Sequence, residues 1–494
     1  MQKKFLKNLG LLLFLNLLVK PFWILGIDRQ VQNVVGTEEY GLYFAILNFS
    51  FLFYIFLDLG ITNFNNRNIA QNNQLLSKHL AGIGVLKLIL AVFYAILIMV
   101  VGIIWGYTGR ELYLLVWVGF NQILLSLILY VRSNLSGLLL FKTDSFLSVL
   151  DRVLMILVCG FLLWSNFFDG IFTIEWFVYA QTSAYIITLI VAVIAVINKS
   201  GKLRFNWNLP FFIMIAKKSL PFALLALLMS FYNRIDPVLL KKLLPSPLGE
   251  EQAGVYAQAF RLLDAGQNFS LLFAVLLLPI FSKMLSMKQS IEKLIRISAS
   301  IIVSGSLVVA LITLFYANNI MELMYTINPG ETQSHYLFRI DQSATIFRLL
   351  MFSFVFISSN YIFGTLLTAN NSLKQLNLIA TAGLLVNLGL NLFLIPLYQS
   401  VGSAWASFAT QGITALLQLI IAIRLFKLRI NYSLIIRFII LAFIMFISGY
   451  LSERYLAFDW EVSCLILLGI GVFTTFIFRL ISVKEFIAII KNEQ

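Results

Sequence analysis

The chain has 494 residues, of which 60% are hydrophobic and only 12% charged, against roughly 25% charged in a soluble domain. That balance excludes a water-soluble globular fold, because no core could hide so much apolar surface, and it makes lipid the main solvent. The net charge of +14 would suggest nucleic acid on a soluble protein; without a long basic soluble segment it reads as basic loops beside anionic lipid.

The N-terminal MQKKFLKNLGLLLFLNLL has the basic start and apolar run of a signal peptide. No small-residue cleavage site follows, and Lys20-Pro21-Phe22-Trp23 continue the run, so the segment reads as an uncleaved first transmembrane helix. A helix needs about 20 mostly apolar residues to cross a bilayer. By that criterion about fourteen spans follow one another, centred near Leu17, Phe51, Ala91, Leu124, Met155, Ile186, Met229, Val275, Val308, Ser358, Val386, Thr414, Met445 and Leu468.

Lysine and arginine orient these spans. Alternate loops, counted from the N-terminus, carry roughly 25 basic residues, among them Lys3, Lys4, Lys7, Arg67, Lys78, Arg132, Arg152, Lys202, Arg204, Lys293, Arg296, Arg429, Lys484 and Lys491. The other set carries about seven (Arg29, Arg110, Lys241, Lys242, Arg339, Arg348 and Arg454) and most acids, including Asp28, Glu38, Glu39, Asp169, Glu175 and Glu331. The positive-inside rule then puts both termini in the cytoplasm.

The chain contains an internal repeat. VGTEEYGLYFA, from Val35, and LGEEQAGVYAQA, from Leu248, share Gly-x4-Gly-x-Tyr: Gly36, Gly41 and Tyr43, then Gly249, Gly254 and Tyr256. Ile27-Asp28 in the first half is matched by Ile235-Asp236 in the second. Each copy sits between the first and second span of its half and reads as a tight outer turn, with its tyrosine at the membrane interface. The expected organisation is an N-lobe over 1–200, a basic linker over 201–218, a C-lobe over 219–425 and an extra helix pair over 426–494. Two six-span halves that enter the membrane from the same side make an all-α membrane protein with two pseudo-symmetric lobes around a central cavity.

Catalytic motifs are missing. There is no Gly-x4-Gly-Lys-Ser/Thr, no His-Glu-x-x-His and no Ser/His/Asp set, so the chain reads as neither an ATPase nor another enzyme. Its two histidines, His79 and His335, fall in loops; Cys159 and Cys464 lie far apart in apolar runs. No metal or cofactor is expected.

The informative residues are charges inside spans. Arg234, Asp236, Arg261 and Asp264 would together cost about 10 kcal/mol facing lipid. Arg234 lies about 20 Å along span seven and Arg261 roughly 12 Å below the outer end of span eight, so both sit in the outer half of the membrane. Gln258, Arg261, Asp264 and Asn268 form a polar stripe at helical spacing. Two readings stand. In one, the charges are salt bridges between helices. In the other, Lys20, Arg234 and Arg261 line a cationic cavity suited to phosphate oxygens, and Asp58, Asp236 or Asp264 takes a coupling proton or sodium ion. Asn387 and Asn391, one turn apart, read as helix–helix hydrogen bonding.

Three segments carry a family resemblance. NVVGTEEYGLYFAILNFSFLFYIFLDLGITNFNNRNIAQN resembles the N-terminal signature of Wzx-like polysaccharide and O-antigen repeat-unit flippases, of the multidrug/oligosaccharidyl-lipid/polysaccharide (MOP) exporter superfamily. Here that signature is Val35-Gly36, Tyr40-Gly41-Leu42-Tyr43 and Asp58-Leu59-Gly60. Leu220-Pro221, Arg234-Ile235-Asp236, Gly254-x-Tyr256, Arg261 and Pro279 are similar to its second-half segment; Asn387, Asn391, Pro396 and Gly402 look like its eleventh-to-twelfth-span segment. The resemblance covers roughly 1–430. It implies a two-lobed, fourteen-span transporter that flips an undecaprenyl-diphosphate-linked oligosaccharide by alternating access, for lipopolysaccharide O-antigen, capsule or exopolysaccharide. A polysaccharide polymerase would act afterwards as a partner. It also implies cationic cavity residues for the diphosphate, which Arg234 and Arg261 match. The lipid II flippase is the runner-up, although its Ser-Arg-x-x-Gly start and Asp-Ala-Phe element are missing. A MATE-like drug/cation antiporter and a non-transporting scaffold for glycan assembly are further alternatives.

Overall fold

The computed structural model describes residues 14–72, 74, 76–165, 172–200, 209–328, 330–455 and 459–480. Lys3, Lys4 and Lys7, the linker cations Lys202 and Arg204, Asp169, Lys484 and Lys491 lie outside these residues. Among the described residues there is no strand, and fourteen α-helices follow the N-terminal one through residues 14–22. We label them α1 (Arg29–Leu52), α2 (Ile61–Gln71), α3 (Leu76–Trp105), α4 (Gly109–Gly137), α5 (Phe141–Trp164), α6 (Ile174–Ser200) and α7 (Leu209–Arg234). The rest are α8 (Asp236–Leu243), α9 (Leu248–Ser286), α10 (Glu292–Met324), α11 (Gln333–Ala369), α12 (Leu373–Phe426), α13 (Tyr432–Tyr455) and α14 (Trp460–Ile477).

Ten helices are each long and apolar enough to cross a membrane, and the broken pair Leu220–Arg234 with Asp236–Leu243, bent by 52°, makes an eleventh span. The 54-residue α12 holds two spans, because its backbone leaves helical geometry at Gln399, just after Pro396. The first two come from the N-terminal helix, which runs through residues 14–22 and a π-helical turn, Trp23–Asp28, into α1. Many large side chains face outward from these helices, such as Ile104, Phe393 and Leu378 at 77, 68 and 70% exposure. That surface is stable only in lipid.

The chain forms two compact units, Met1–Gly254 and Val255–Gln494. The division falls within α9, beyond the 201–218 linker, because α7 and α8 pack on α1. In the first unit α4 is the central helix, packing against α2, α3 and α6. Span two ends early, at Leu52. A 3-10 turn, Tyr54–Leu57, leads through left-handed Leu59 and Gly60 into α2. Short and polar, α2 buries Ile61 and Ile69 in a cluster with Tyr130, Leu135 and Leu147. Its Asn65 Nδ2 donates to Ser133 Oγ and Asn134 Oδ1 at 2.9 and 3.0 Å.

The repeated glycine motif lies at the turn between the first two spans of each half. Gly36, at φ 83°, breaks the helical run between two helices, a conformation that a β-carbon would strain, and Gly249 follows the short turn between α8 and α9. The motif's tyrosines are not interfacial. Tyr43 and Tyr256 are 1% and 0% exposed, because each hydroxyl finds a buried polar partner: Gln181 Nε2 donates to Tyr43 at 2.8 Å, and the Tyr256 and Ser407 hydroxyls lie 3.4 Å apart. The two copies also touch within the first unit. A β-carbon on Gly41 would lie 2.5 Å from Gly254 N and 2.9 Å from the Glu250 carbonyl carbon. One on Gly254 would lie 2.7 Å from the Thr37 carbonyl carbon and 3.0 Å from Thr37 Cα. Thr37 and Glu250 hold the same place in their copies, as do Gly41 and Gly254, so the contact is reciprocal. Only glycine permits it.

In the second unit α10, α11 and α12 form the core, and α13 and α14 pack on the flank of α10. Val308, Leu311 and Ile312 there meet Leu441, Met445 and Leu467, and Tyr316 Oη donates to Ser452 Oγ at 2.8 Å. Across the Gln399 break, Ser403 Oγ donates to Asn391 Oδ1 at 2.8 Å, and Asn391 Nδ2 to Asn387 Oδ1 at 3.1 Å. These asparagines do knit helices, as their one-turn spacing suggests.

Candidate functional site: charges held inside apolar helices

Among the residues picked from sequence, Lys20 lies on the N-terminal helix of the first unit. Its charged surroundings are Asp151, Arg152 and Arg132. Arg132 Nε donates to Asp144 Oδ1 at 2.8 Å, and Arg152 Nε lies 3.7 Å from Asp151 Oδ2. The Arg152 guanidinium stands 5.7 Å from the centre of the Trp23 ring. Three cations thus face two carboxylates on α4, α5 and the first helix, a locus with spare positive charge. Planar guanidiniums there match phosphate oxygens.

Arg234 ends α7 at the break, and its guanidinium lies 5.3 Å from the Phe51 ring centre. Asp236, the first residue of α8, is 1% exposed. Asp28 occupies the corresponding place in the first half. It closes the π-helical turn, is also 1% exposed, and accepts from Tyr40 Oη at 2.9 Å and Gln32 Nε2 at 3.3 Å. Each repeat therefore buries one aspartate at an irregular turn of its first span.

Arg261 belongs to the second unit, where Nη1 lies 3.6 Å from Asp264 Oδ2 one turn along α9. Both side chains are nearly buried. The rest of that polar stripe is tied to neighbours: Ser343 Oγ donates to Gln258 Oε1 at 2.6 Å, and Asn268 Nδ2 donates to Asp264 O at 2.7 Å. Lys20 and Arg234 thus lie in one unit and Arg261 in the other, each with its own neighbours.

Asp58 sits at the break after span two, and Lys87 Nζ from α3 lies 2.5 Å from its Oδ1. That lysine is 1% exposed. It is the basic residue in the middle of an otherwise apolar span, LAGIGVLKLILAVFY, and sequence reading passed over it.

At one end of the first unit, Arg110 donates to Glu39 Oε1 and Oε2 at 2.8 and 2.6 Å and to Glu175 Oε1 at 2.8 Å. Lys241 pairs with Glu111 and, at 3.3 Å, with Glu250. Charge alternation assigned Glu39, Arg110, Glu175 and Lys241 to the same side, and here they meet.

The second unit contains a cavity of about 910 Å³ between α10, α11, α12 and α13. Lys293, Arg296 and Arg429 stand among its polar lining, whereas Val303, Phe363, Leu419 and Phe438 are among its apolar walls. Sequence reading counted these three cations only as orientation signals. Their clustering depends on how three helix ends and a loop converge, which no periodicity reports. Among the described residues no group of histidine, cysteine and acidic residues could hold a metal ion.

Comparison with known proteins agrees with this architecture. The sequence profile of the family described as polysaccharide biosynthesis protein matches residues 5–285, more than half of the chain. No curated protein matches. Among solved structures, the lipid II flippase MurJ in an inward closed conformation superposes with a TM-score of 0.69 at 15% identity, covering 95% of this chain and 98% of MurJ. An inward-facing multidrug resistance MATE transporter of the MOP superfamily gives a TM-score of 0.64 at 15% identity, with 83% of this chain and 94% of that one covered. A MOP superfamily transporter from Pyrococcus furiosus gives 0.55 at 15% identity, with 85% and 93% covered. A helical repeat with charges buried at its broken spans, a matching family profile and these superpositions lead to one statement: the chain belongs to the polysaccharide biosynthesis protein family and has the fold of MOP-superfamily transporters.

Proposed function

We propose that this protein flips an undecaprenyl-diphosphate-linked oligosaccharide repeat unit across the bacterial inner membrane by alternating access, feeding O-antigen, capsule or exopolysaccharide synthesis. The observation that carries this reading is cationic side chains inside apolar helices: Lys20 with Arg132 and Arg152, Arg234, and Arg261. Burying them costs several kcal/mol on insertion scales, an outlay that an anionic diphosphate offsets. Lys20, Arg234 and Arg261 are the diphosphate ligands in this reading, and Asp236 and Asp264 hold a coupling proton or sodium ion. The cavity of the second unit supports it further, since a basic mouth over apolar walls suits an amphiphile with an anionic head. Both termini lie in the cytoplasm, the side that carries the basic loops. The protein is not an enzyme, and a polymerase takes the flipped unit onward.

A second reading has its own support. MurJ, whose fold matches 95% of this chain, is a lipid II flippase, so a peptidoglycan precursor is the competing substrate. Transport of a fluorescent diphosphate-lipid glycan into vesicles containing the purified protein separates the two. The repeat-unit reading expects transport of the oligosaccharide lipid over lipid II, and loss of it in Arg234→Ala and Arg261→Ala variants that still insert. Full activity in both variants refutes the cationic-ligand assignment; preference for lipid II selects the second reading.

A further inference from the structure

The break after span two is built as a cation site, and the protein fills it with its own side chain. Helical geometry stops at Leu52, and the chain passes through a 3-10 turn, left-handed Leu59 and Gly60 before α2 begins. Such a break frees backbone carbonyls, and that of the buried Leu57 must be satisfied from within. Lys87, from the neighbouring span, does this. Its ammonium donates to Leu57 O at 2.9 Å, to Asp58 Oδ1 at 2.5 Å and to Ser126 Oγ at 2.9 Å. An ammonium has three donors, and all three are used. Ser126 Oγ also reaches Leu57 O at 3.2 Å, and Thr62 holds Asp58 Oδ1 through its backbone N–H at 3.2 Å and through its hydroxyl.

A carboxylate, an unwound carbonyl and a hydroxyl converging on one positive charge are the oxygen donors with which broken transmembrane helices bind alkali cations. We propose that this is a monovalent-cation site whose cation is tethered, the Lys87 ammonium standing where a free sodium ion would sit. The tether keeps the cation at this point. The first unit keeps its broken span assembled whatever the ionic conditions, and this point exchanges no ion during a cycle. The expectation that Asp58 couples transport to an external ion changes accordingly, because its cation is covalently attached. Removing the ammonium converts the place into an exchangeable sodium site. The proposal is independent of which lipid the protein carries.

The experiment uses the full chain purified in detergent, with thermal unfolding followed in sodium chloride and in choline chloride of equal concentration. Lys87→Ala is expected to unfold earlier than the parent protein in choline and to recover in sodium, its unfolding temperature rising with the logarithm of sodium concentration, as for a bound ligand. The Asp58→Asn, Lys87→Met double variant, neutral and without the carboxylate, is expected to lack that sodium-specific gain. The parent protein is the reference for any sodium effect arising elsewhere. Equal responses of Lys87→Ala and the parent to the two salts overturn the proposal. So does a sodium gain as large in the double variant. If Lys87→Ala cannot be recovered folded even in sodium while the double variant can, sodium does not replace the ammonium, and the proposal fails.

Discussion

Placing a methyl group on Gly41 tests the reciprocal contact directly. The new β-carbon of Gly41→Ala would lie 2.5 Å from Gly254 N and 2.9 Å from the Glu250 carbonyl carbon, where ordinary contact begins at 3.4 Å. Every atom it meets is backbone, so no rotamer change relieves the clash. The two helices must instead separate by roughly 1 Å or more, which loses dispersion along the whole crossing. Overpacking of this kind costs about 1–3 kcal/mol, and the absence of any movable side chain puts Gly41→Ala at the upper end. In a unit of this size that lowers the unfolding temperature by roughly 5 °C or more. Gly305→Ala is the control. Gly305 lies inside α10 with nothing within 4 Å of an added β-carbon, so alanine there is expected to stabilise by about 0.5–1 kcal/mol. Gly254→Ala should match Gly41→Ala. The double variant should cost less than the two together, because helices already parted by one methyl accept the second. Thermal unfolding of the purified protein measures all four. Equal stability of Gly41→Ala and Gly305→Ala, or strict additivity in the double variant, refutes the close crossing.

Arg339 and Glu331 form a buried bidentate pair in the second unit, 1% and 4% exposed, with both bonds at 2.8 Å. Arg339→Met leaves the buried Glu331 without its cation, though still with the Asn328 N–H and the His335 ring, and should destabilise by about 3 kcal/mol, while adding Glu331→Gln should restore much of the loss; thermal unfolding of both variants decides. Burial, the largest single influence, works to raise the Glu331 carboxyl, but the hydrogen bonds from Arg339 and the Asn328 N–H, the Arg339 charge and the His335 contact together hold it below its ordinary 4.5. A lowered carboxylate contributes stability that is fully present above the unfolded value and is lost as pH falls through the folded one. An acid titration of stability should therefore show a loss beginning below about pH 4.5 that Arg339→Met reduces. Reversing the cavity's basic rim with Arg296→Glu and Arg429→Glu should cut vesicle transport of an anionic lipid at least tenfold while leaving unfolding temperature within about 2 °C, as expected for exposed charges away from a packed core; unchanged transport would dissociate the cavity from the substrate.

Much of the fold was legible because the membrane imposes simple rules. Apolar runs of span length and the alternation of lysine and arginine gave the number and order of spans, and the structure brings Glu39, Arg110 and Glu175 into contact as that alternation required. The hydrogen bonding of Asn391 to the next helix, through Ser403, followed from the polar spacing alone. What sequence missed depends on contacts between distant segments. Glycine and two glutamates read as a turn, and Gly36 does break the helix between the first two spans, but the approach of Gly41 to the Glu250 and Gly254 backbone was hidden, because a close crossing and a turn demand the same small residue. Tyr43 and Tyr256 were placed at the interface on composition, but both are buried inside the protein, the Tyr43 hydroxyl accepting from Gln181 Nε2 and that of Tyr256 beside the Ser407 hydroxyl. Asp28 looked like an outer-loop acid until Tyr40 folded over it. Lys87 was visible as a lone charge in an apolar span, and that isolation was the available signal.

A contact in which equivalent residues meet across a local two-fold is the geometry of a homodimer interface, here made by one polypeptide with itself. Fusion removes the constraint that a homodimer carries, namely that any change appears on both sides. The two copies have used that freedom. The position that holds Tyr40, hydrogen-bonded to Asp28, in the first copy holds Ala253 in the second, which offers Asp236 no hydroxyl. Gly41 and Gly254 stayed matched, since either one enlarged would strike the backbone of the other copy, while residues beside them, such as Tyr40 and Ala253, diverged.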